Sequence, residues 1–290
     1  MPDHPIVKTH ILLFLLVIVI ILSGSRAVYA AEAFRVCSDP KNPPFSTRNQ
    51  DGFENQIASM FAKELGQSVE YTWFPQRIGF IRNTLKAKLP NEDTYKCDVV
   101  MGVPAGYEMA TTTQPYYRSI YGMIYLTGRG LDDITKLEDL ILLPPDRKNQ
   151  LKIAMFDRGP GTAWIVKNGF VEQGVPYQSM TGDPDNNTAT TMDRDFKAGL
   201  IDVAILWGPM AGYVISQSPP GTYAFIPMIS TPGMKFDFPI AMGVRRGDNE
   251  RKAMLDQLIS ENSKQIQDVL KKHNVPLVDT EGHLVFVPGS

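Results

Sequence analysis

The hydrophobic residues of this 290-residue chain follow two spacings that alternate along most of its length. Short apolar runs bounded by Gly, Pro or charged residues are typical of buried strands, and apolar residues at every third or fourth position are typical of helices. The runs that predict strands lie at residues 34–37, 69–74, 99–101, 152–156, 203–206 and 225–227. The segments that predict helices lie at residues 55–65, 79–89, 162–168, 193–198 and 249–272. This alternation predicts an α/β fold with parallel strands and right-handed crossovers.

Two strand-to-loop units share their sequence pattern. Residues 98–103 and 202–206 each begin with Asp-Val, continue as an apolar run and lead to Ala-Gly-Tyr, at residues 105–107 and 211–213. One unit in each half of the chain predicts two lobes that face each other across a cleft, although two buried strands can also share such a pattern by coincidence. Loops at the carboxyl ends of strands in open α/β sheets are where ligands bind.

The lobes are predicted from the places where the chain crosses between them. A first crossing is expected near residues 125–130, after an extended segment at 115–127, and a return at 237–244. A short helical connector is predicted at residues 132–140, and the tail at 275–287 is expected to pack on the first lobe. The first lobe is therefore residues 31–126 with 240–290, and the second is residues 127–239.

Residues 1–30 have the pattern of an export signal. Lys8 and His10 precede twelve apolar residues at 11–22, and Ala30 follows two residues after Val28. Twelve helical residues span about 18 Å, which is short of a bilayer core of about 30 Å. A signal peptide cleaved before Ala31 is predicted, with an uncleaved anchor as the alternative. No second long apolar run follows, so no membrane contact is expected of the mature chain.

Composition narrows the possible partners. Apolar residues make up 43% of the chain, enough for a substantial core. Without residues 1–30 the net charge is −3, and no basic patch with interleaved aromatic residues appears. Nucleic acid is therefore excluded as an expected partner.

The two cysteines, Cys37 and Cys97, both lie in the part predicted to be exported. An even pair in an oxidising compartment predicts one disulfide bond, with two buried free thiols as the alternative. Two cysteines cannot supply a four-thiolate zinc site, and the carboxylates at residues 183–194 lack the Gly and Glu of an EF-hand loop. No metal site is predicted.

The candidate chemistry is that of binding rather than catalysis. His273 and His283 are the two histidines outside the leader, both are expected at the surface or in the tail, and no nucleophile elbow or dinucleotide fingerprint is present. No catalytic residue and no cofactor are therefore assigned. Aromatic residues and glycine loops gather instead around the predicted cleft, although each ring taken alone could be a core residue. The predicted cleft residues are Phe45, Trp73, Gly102, Pro104, Tyr107, Tyr116, Asp157, Gly161, Thr162, Trp207 and Tyr213.

From residue 34 to residue 287 the order of these segments resembles the periplasmic solute-binding proteins of the amino-acid-binding class, bacterial family 3. The segments that carry the resemblance are NPPFS at 42–46, DVVMGV at 98–103, QPYYRS at 114–119, RGPGT at 158–162 and GLIDVAILWGP at 199–209. Residues 95–109, 111–125, 202–213 and 273–279 resemble one branch of it, the MoxJ and XoxJ group associated with quinoprotein methanol dehydrogenases. The resemblance implies the two-lobed type II fold, with two α/β lobes, each an open and mostly parallel sheet flanked by helices, joined by a two-strand hinge.

The chain departs from the amino-acid binders at both charge partners of their ligand. Those proteins place an Arg shortly after the first lobe's turn to grip the ligand carboxylate, and here Gly106-Tyr107-Glu108-Met109 follows. They place an acid after the second lobe's strand, and here that position is Trp207. A zwitterion would be desolvated without its partners, so free amino acids are not expected to bind.

The resemblance implies a non-enzymatic protein of the periplasm. Its expected partner is a PQQ-dependent methanol dehydrogenase of the calcium or lanthanide type, with the associated cytochrome as a further candidate, and the cleft is expected to hold a segment of the dehydrogenase. The alternative is a receptor of an ABC transporter for a small neutral or aromatic solute. A third possibility, an enzyme, would need an acid or base in the cleft, for which Asp157, Glu108 and Arg158 are the candidates.

Overall fold

The computed structural model describes residues 32–179 and 187–289, so the predicted leader lies outside the described residues. The strands in this part of the chain are β1 (Phe34–Ser38), β2 (Lys41–Asn42), β3 (Ser46–Thr47), β4 (Val69–Trp73), β5 (Val99–Pro104), β6 (Thr111–Thr112), β7 (Tyr117–Leu126), β8 (Ile153–Phe156), β9 (Gly174–Tyr177), β10 (Val203–Trp207), β11 (Tyr223–Pro227), β12 (Asp237–Val244), β13 (Leu277–Val278) and β14 (Leu284–Phe286). The α-helices are α1 (Phe53–Glu64), α2 (Phe80–Asn83), α3 (Leu137–Ile141), α4 (Pro145–Gln150), α5 (Pro160–Lys167), α6 (Thr188–Lys197), α7 (Gly208–Ser216), α8 (Asn249–Glu261) and α9 (Ser263–Lys272).

Strand pairing follows the order β4-β1-β5-β12-β7-β10-β8-β9, with β6 added on β12 and β11 on β7. At one end β1 pairs in parallel with β4 and β5, and at the other β8 pairs in parallel with β10 and β9. The parallel pairs agree with the βαβ order predicted from the apolar pattern. Helices cover both groups of strands, so the predicted two-lobed α/β fold is confirmed.

The two long antiparallel strands β7 and β12 connect the two groups. Asp237 to Ile240 of β12 pair with Ile120 to Tyr117 of β7, and the rest of β12 pairs with β5. The remainder of β7 pairs with β10 and β11. These are the two crossing strands expected from the type II fold; the exact lobe boundaries at residues 126 and 239 stay predictions.

Separate hydrophobic cores lie on the two sides of the crossing strands. One is built on β1, β5, β12 and the inner face of α1, where Phe53, Ile57 and Phe61 are fully buried. Another is built on β7, β8 and β10, with Ile153, Phe170 and Val203 at its centre. Among the described residues, none of the helices has both the length and the apolar character that a membrane crossing requires.

The predicted disulfide bond is confirmed. Cys37 at the end of β1 is bonded to Cys97, which lies just before β5, with a Cα–Cα distance of 5.3 Å. Because β1 and β5 are parallel neighbours, the bond joins two strands that already share a ladder.

Asp98, the residue after Cys97, is a buried carboxylate with three arginine partners. Arg35 and Arg245 lie 2.8 Å and 2.6 Å from its oxygens, and Arg251 lies 3.7 Å away. The Asp98 side chain is only 1% exposed, so its charge depends on these guanidinium groups. The cluster ties β1 and β5 to the segment that begins α8.

Two predicted helices differ from the structure. The helix expected at residues 79–89 ends after Asn83, because the backbone of Thr84 leaves the helical conformation, with φ −119° and ψ −89°, and Lys88 then bridges Tyr95. The helix expected at residues 249–272 breaks at Asn262. This buried side chain donates to Glu64 of α1 at 2.8 Å and to the Leu258 carbonyl at 2.9 Å, which fixes a junction between α8 and α9.

The tail packs on the core of the first lobe, as expected, and also on the second core. Leu277 and Phe286 contact the core built on β1 and α1, whereas Val278 and Leu284 contact the core built on β7 and β10. His273, expected at the surface, is half-buried, with its ring 6.1 Å from that of Phe53. Burial lowers the pKa of this imidazole.

Candidate functional site

A cavity of about 450 Å³ lies where the two groups of strands meet. The loop after β1, the start of α1 and the end of β5 line it from one side, and the first residues of α5 and α7 line it from the other. The crossing strands β7 and β12 also contribute side chains. The cavity is therefore the cleft that the two similar strand-to-loop units predict.

Three aromatic rings from different strands form a cluster on the cavity wall. Tyr121 of β7 and Trp207 of β10 are cross-strand partners with ring centroids 5.3 Å apart. Phe238 of β12 completes the cluster, 6.2 Å from Tyr121 and 6.0 Å from Trp207. The edge-to-face contacts hold the rings in place, and each ring also lines the cavity.

Phe45 reaches the cavity because its loop is held against α1. The Glu54 amide donates to the Phe45 carbonyl at 3.0 Å, and the Phe53 amide donates to the Pro44 carbonyl at 2.9 Å. A Cβ atom at Gly52 would collide with the Phe45 carbonyl, so this close approach requires glycine. The Phe45 ring packs on Phe53 at 5.3 Å and lines the cavity beside Glu54.

Glu54 is the functional candidate that sequence reasoning missed. It is the second residue of α1, and its carboxyl group lies over Gly102 of β5, where any side chain would collide with the carboxyl oxygen. Desolvation by burial, with a smaller contribution from Asp39, raises the pKa of Glu54 to about 8. Within the described part of the chain, no hydrogen bond or ion pair to this carboxyl group is found.

Two tyrosines beside Glu54 give its carboxyl group an uncharged, desolvated environment. Tyr117 lines the cavity, and Tyr116 is buried with a hydroxyl that has no hydrogen-bond partner within residues 32–179 and 187–289. Burial, with the neighbouring Glu54 charge, raises the pKa of both phenols well above the usual value, so both are neutral. In such a low-dielectric setting, water weakens the attraction between the Glu54 charge and an opposite charge far less than it does in bulk solvent.

Three other polar side chains of the cavity, Asp39, Asn42 and Gln76, are engaged with the protein. Asp39 accepts from the Lys41 amide at 2.7 Å and from the Gln76 amide at 2.5 Å. Asn42 donates to the Gln76 side chain at 2.8 Å. These contacts fix the loop on the near side of the cavity, and they leave Glu54 as the carboxyl group with unused hydrogen-bonding capacity.

Four of the predicted cleft residues line the cavity: Phe45, Gly102, Pro104 and Trp207. Two others lie against its rim. Asp157 accepts from the amide of Ser179, a lining residue, at 2.9 Å, and its bonds to Ser179 lower the pKa of this carboxyl. Gly161 follows the lining residue Pro160, and a Cβ atom there would collide with Ile205.

The remaining predicted cleft residues lie elsewhere, and a binding role for them stays a prediction. Trp73 stacks on Tyr71 with centroids 4.6 Å apart, and Tyr107 donates to the Met109 sulfur at 3.3 Å. Thr162 donates to the Phe156 carbonyl at 2.7 Å. Tyr213 lines a neighbouring cavity behind the loop at residues 40–52, and Tyr116 is buried as described.

The cavity carries charged side chains as well as rings. No arginine of the described residues lines it, so a bidentate grip on a carboxylate is missing. Two acids, Glu54 and Asp39, do line it. Neither was among the acids or bases considered for the cleft.

No protein-family model matches the chain. A protein named MoxJ from Methylorubrum extorquens is 29% identical over 272 residues, which cover 88% of this chain and 86% of the relative. A protein named MoxJ from Paracoccus denitrificans is 26% identical over 268 residues, covering 88% and 92%.

A solved structure extends the similarity to the fold. The crystal structure of the periplasmic binding protein XoxJ from Methylobacterium extorquens AM1 superposes with a TM-score of 0.66. The two chains are 32% identical, and the match covers 85% of this chain and all of XoxJ.

Proposed function

Because the chain belongs to the MoxJ and XoxJ group of periplasmic binding proteins, we propose that it is a non-enzymatic accessory protein of methanol oxidation in the periplasm. Its partner is a PQQ-dependent methanol dehydrogenase of the calcium or lanthanide type, and its role is to help that enzyme mature or become active. The binding site is the cleft between the lobes.

The observation that carries this proposal is the lining of the cavity. Rings from four structural elements line it, and no arginine of the described residues does, so the carboxylate of a free amino acid has no guanidinium partner there. Aromatic side chains that face a concave surface are typical anchors of protein interfaces. A segment of a partner protein fits such a surface, because its backbone polar groups can stay hydrated at the cleft mouth while its side chains are buried.

The mechanism proposed is capture of that segment by closure of the lobes. Closure is driven only by contacts made on both sides of the cleft, because a ligand shifts an equilibrium by its differential affinity for the two states. Phe45 on one side and Trp207 on the other are placed to make such contacts. An accessory protein that holds a segment this way keeps it from alternative conformations while the cofactor or metal is inserted.

Calorimetric titration of the methanol dehydrogenase, in apo and loaded forms, tests the proposal. The unmodified protein is expected to bind at least one form, and Trp207→Ala is expected to weaken binding at least about tenfold. Trp73→Ala is the matched control, since it removes an equal ring outside the cavity. Lack of binding to both forms, or equal losses in the two variants, would contradict the proposal.

A second candidate, a receptor for a small neutral or aromatic solute, is favoured by the size of the cavity. Its volume of about 450 Å³ lies within the range of roughly 300–1,000 Å³ common for small-molecule sites. A thermal-shift screen of periplasmic metabolites separates the two. One solute that raises the melting temperature by several degrees, with no binding of the dehydrogenase, would favour the receptor.

A further inference from the structure

We propose that the cleft recognises a basic group, a guanidinium or an alkylammonium, which binds the Glu54 carboxylate while its hydrocarbon part packs on the aromatic rings. The inference deepens the proposed function and rests on it for the source of the group, a Lys or Arg side chain of the dehydrogenase segment. A free organic cation would present the same chemistry, and the experiment below separates the two sources.

The position of Glu54 leaves its carboxyl group free to bind a cation. Its carboxyl group lines the cavity, lies over Gly102 and, in the described part of the chain, has no ion-pair or hydrogen-bond partner. A carboxyl group without a partner in a desolvated position is unfavourable unless a ligand supplies the missing interactions. Because Gly102 has no side chain, the Glu54 carboxyl group can lie directly against strand β5.

The charges that surround this carboxyl group also favour a cation. Asp39 of the loop after β1 is the second acid of the cavity, and Lys41 of the same loop is its one basic side chain among the described residues. Tyr71 of β4, Tyr117 of β7 and Tyr116 just before β7 lie near Glu54 as neutral phenols. With Glu54 ionised, the described lining residues carry one more negative than positive charge, so they favour a cation over an anion.

The aromatic rings of the cavity wall can hold a cation as well. The faces of aromatic rings attract ammonium and guanidinium groups within about 6 Å of the centroid. Phe238 of the cavity wall already holds one such group, since the Lys235 ammonium lies 5.4 Å from its centroid. Tyr121 and Trp207 offer rings of the same cluster to a ligand. A Lys or Arg side chain would match this wall through both its charge and its methylene groups.

If Glu54 instead bound a ligand as a hydrogen-bond donor, the affinity would depend on pH in the opposite direction. A protonated Glu54 could donate a hydrogen bond to a peptide carbonyl, and binding would then weaken as pH rises. A bound cation requires the carboxylate, so binding strengthens as pH rises through the pKa of about 8. Roughly one molecule in ten carries the charge at pH 7 and roughly nine in ten at pH 9, so the apparent affinity should rise about tenfold between them.

The probe is n-butylguanidinium, which stays charged across this range, and n-butylurea is its neutral analogue. Calorimetric titrations are carried out at pH 7 and pH 9 on the unmodified full protein and on two variants, Glu54→Gln and Glu70→Gln. The second variant is the control, because it removes an exposed carboxylate of β4. The expected result is binding of n-butylguanidinium that is about tenfold tighter at pH 9, is lost in Glu54→Gln and is unchanged in Glu70→Gln. Equal binding of the urea, equal binding by Glu54→Gln, weaker binding at pH 9, or no binding at millimolar concentration would each overturn the proposal.

A second measurement on the unmodified protein keeps the proposal testable should Glu54→Gln fold poorly. Binding at pH 7 ionises a carboxyl group that was mostly protonated, so close to one proton should be released per guanidinium bound. Titrations in buffers of different ionisation enthalpy measure this number. Uptake of a proton, or no exchange, would contradict the ion pair.

Binding measurements with the dehydrogenase test this inference separately from the proposed function, and they identify the source of the cation. If Glu54→Gln binds the dehydrogenase as tightly as the unmodified protein and n-butylguanidinium does not bind, the inference fails and the proposed function stands. If the dehydrogenase does not bind at all, the proposed function fails, and the n-butylguanidinium titration alone decides the inference. Competition between n-butylguanidinium and the dehydrogenase identifies the basic group as one carried by the partner.

Discussion

Glu54 makes the stability of the folded chain depend on pH through its own titration. Its pKa is raised from 4.5 to about 8 on folding, so between these values the unfolded chain releases a proton that the folded chain retains. Stability therefore falls as pH rises from about 4.5 to about 8, because the unfolded state binds fewer protons in that window.

We predict that Glu54→Gln removes this slope. Relative to the unmodified protein, the variant should gain about 1–3 kcal/mol in free energy of unfolding between pH 5 and pH 9, a figure discounted because the carboxyl group partly faces the cavity. Urea unfolding at a series of pH values measures the difference. Glu70→Gln is the control and should leave the slope in place; a slope that persists in Glu54→Gln would show that other groups cause it.

The packing of Glu54 on Gly102 supports a second prediction at the level of residues. In Gly102→Ala the new Cβ atom meets the Glu54 carboxyl oxygen; because that oxygen is the end of a flexible side chain that can move aside, we expect a loss of only about 1 kcal/mol in stability, the low end of overpacking costs. In a Glu54→Ala background the same substitution should cost clearly less, because its collision partner is gone. Chemical unfolding of the four chains of this cycle checks the coupling, and equal losses in both backgrounds would show that the two residues do not interact.

Residues at strand ends could be predicted from the sequence, whereas Glu54 could not. Trp207, Gly102 and Pro104 follow apolar runs, and the carboxyl ends of such strands face the cleft in this class of fold. An acid in the first turn of a helix is common and normally exposed. What buries Glu54 is its contact with Gly102 of a distant strand, and the local sequence holds no signal for that pairing.

At the scale of elements, the cluster around Asp98 joins β1 and β5 to the start of α8. Asp98→Asn would leave Arg35 and Arg245 near a neutral amide in a buried position. We expect a loss of about 3–5 kcal/mol, as is usual when one member of a buried ion pair is removed. The matched control is Asp93→Asn, whose partner Lys88 is exposed, and thermal unfolding should separate the two clearly. A small effect of Asp98→Asn would mean that the arginines are satisfied by the backbone carbonyls alone.

The disulfide bond constrains the same pair of strands. It closes a loop with a sequence separation of 60 residues, for which the chain-entropy model gives about 4 kcal/mol of stabilisation. The Cys37→Ser, Cys97→Ser double variant is therefore expected to unfold at markedly lower urea concentration, with little change in far-ultraviolet circular dichroism at low denaturant. The unmodified protein under reducing conditions should match the double variant; if reduction changes nothing, the bond contributes no net stability.

Helix boundaries could be predicted less well than strands. The apolar spacing of residues 249–272 is continuous, yet Asn262 turns inward to bond Glu64 of α1 and ends the first helix. At residues 79–89 the backbone leaves the helical conformation at Thr84, and Lys88 pairs with Tyr95 instead of continuing the helix. Both differences come from tertiary contacts that outweigh local propensity.

At the scale of the whole molecule, the order of strands and helices was sufficient to predict two lobes and two crossing strands. Alternating βαβ units favour parallel sheets, and the two long extended segments were the natural connections between them. The tail was the exception. Its short apolar runs could pack on either core, and the structure uses both, with β13 beside β7.

The tail therefore bridges both cores, and its attachment should govern how far the lobes move. The Pro276 carbonyl accepts from Ser119 of β7 at 2.6 Å, and Gly212 of α7 is a glycine because a Cβ atom there would collide with the Asn274 carbonyl. We predict that Gly212→Ala loosens the tail without unfolding either core. Hydrogen exchange should become faster at residues 277–286 and stay unchanged at residues 153–156, which lie in the interior of the second group of strands. Ala211→Gly, which changes one methyl group in helix α7, is the control. Uniformly faster exchange in both regions would mean that the tail supports global stability rather than the motion of the lobes.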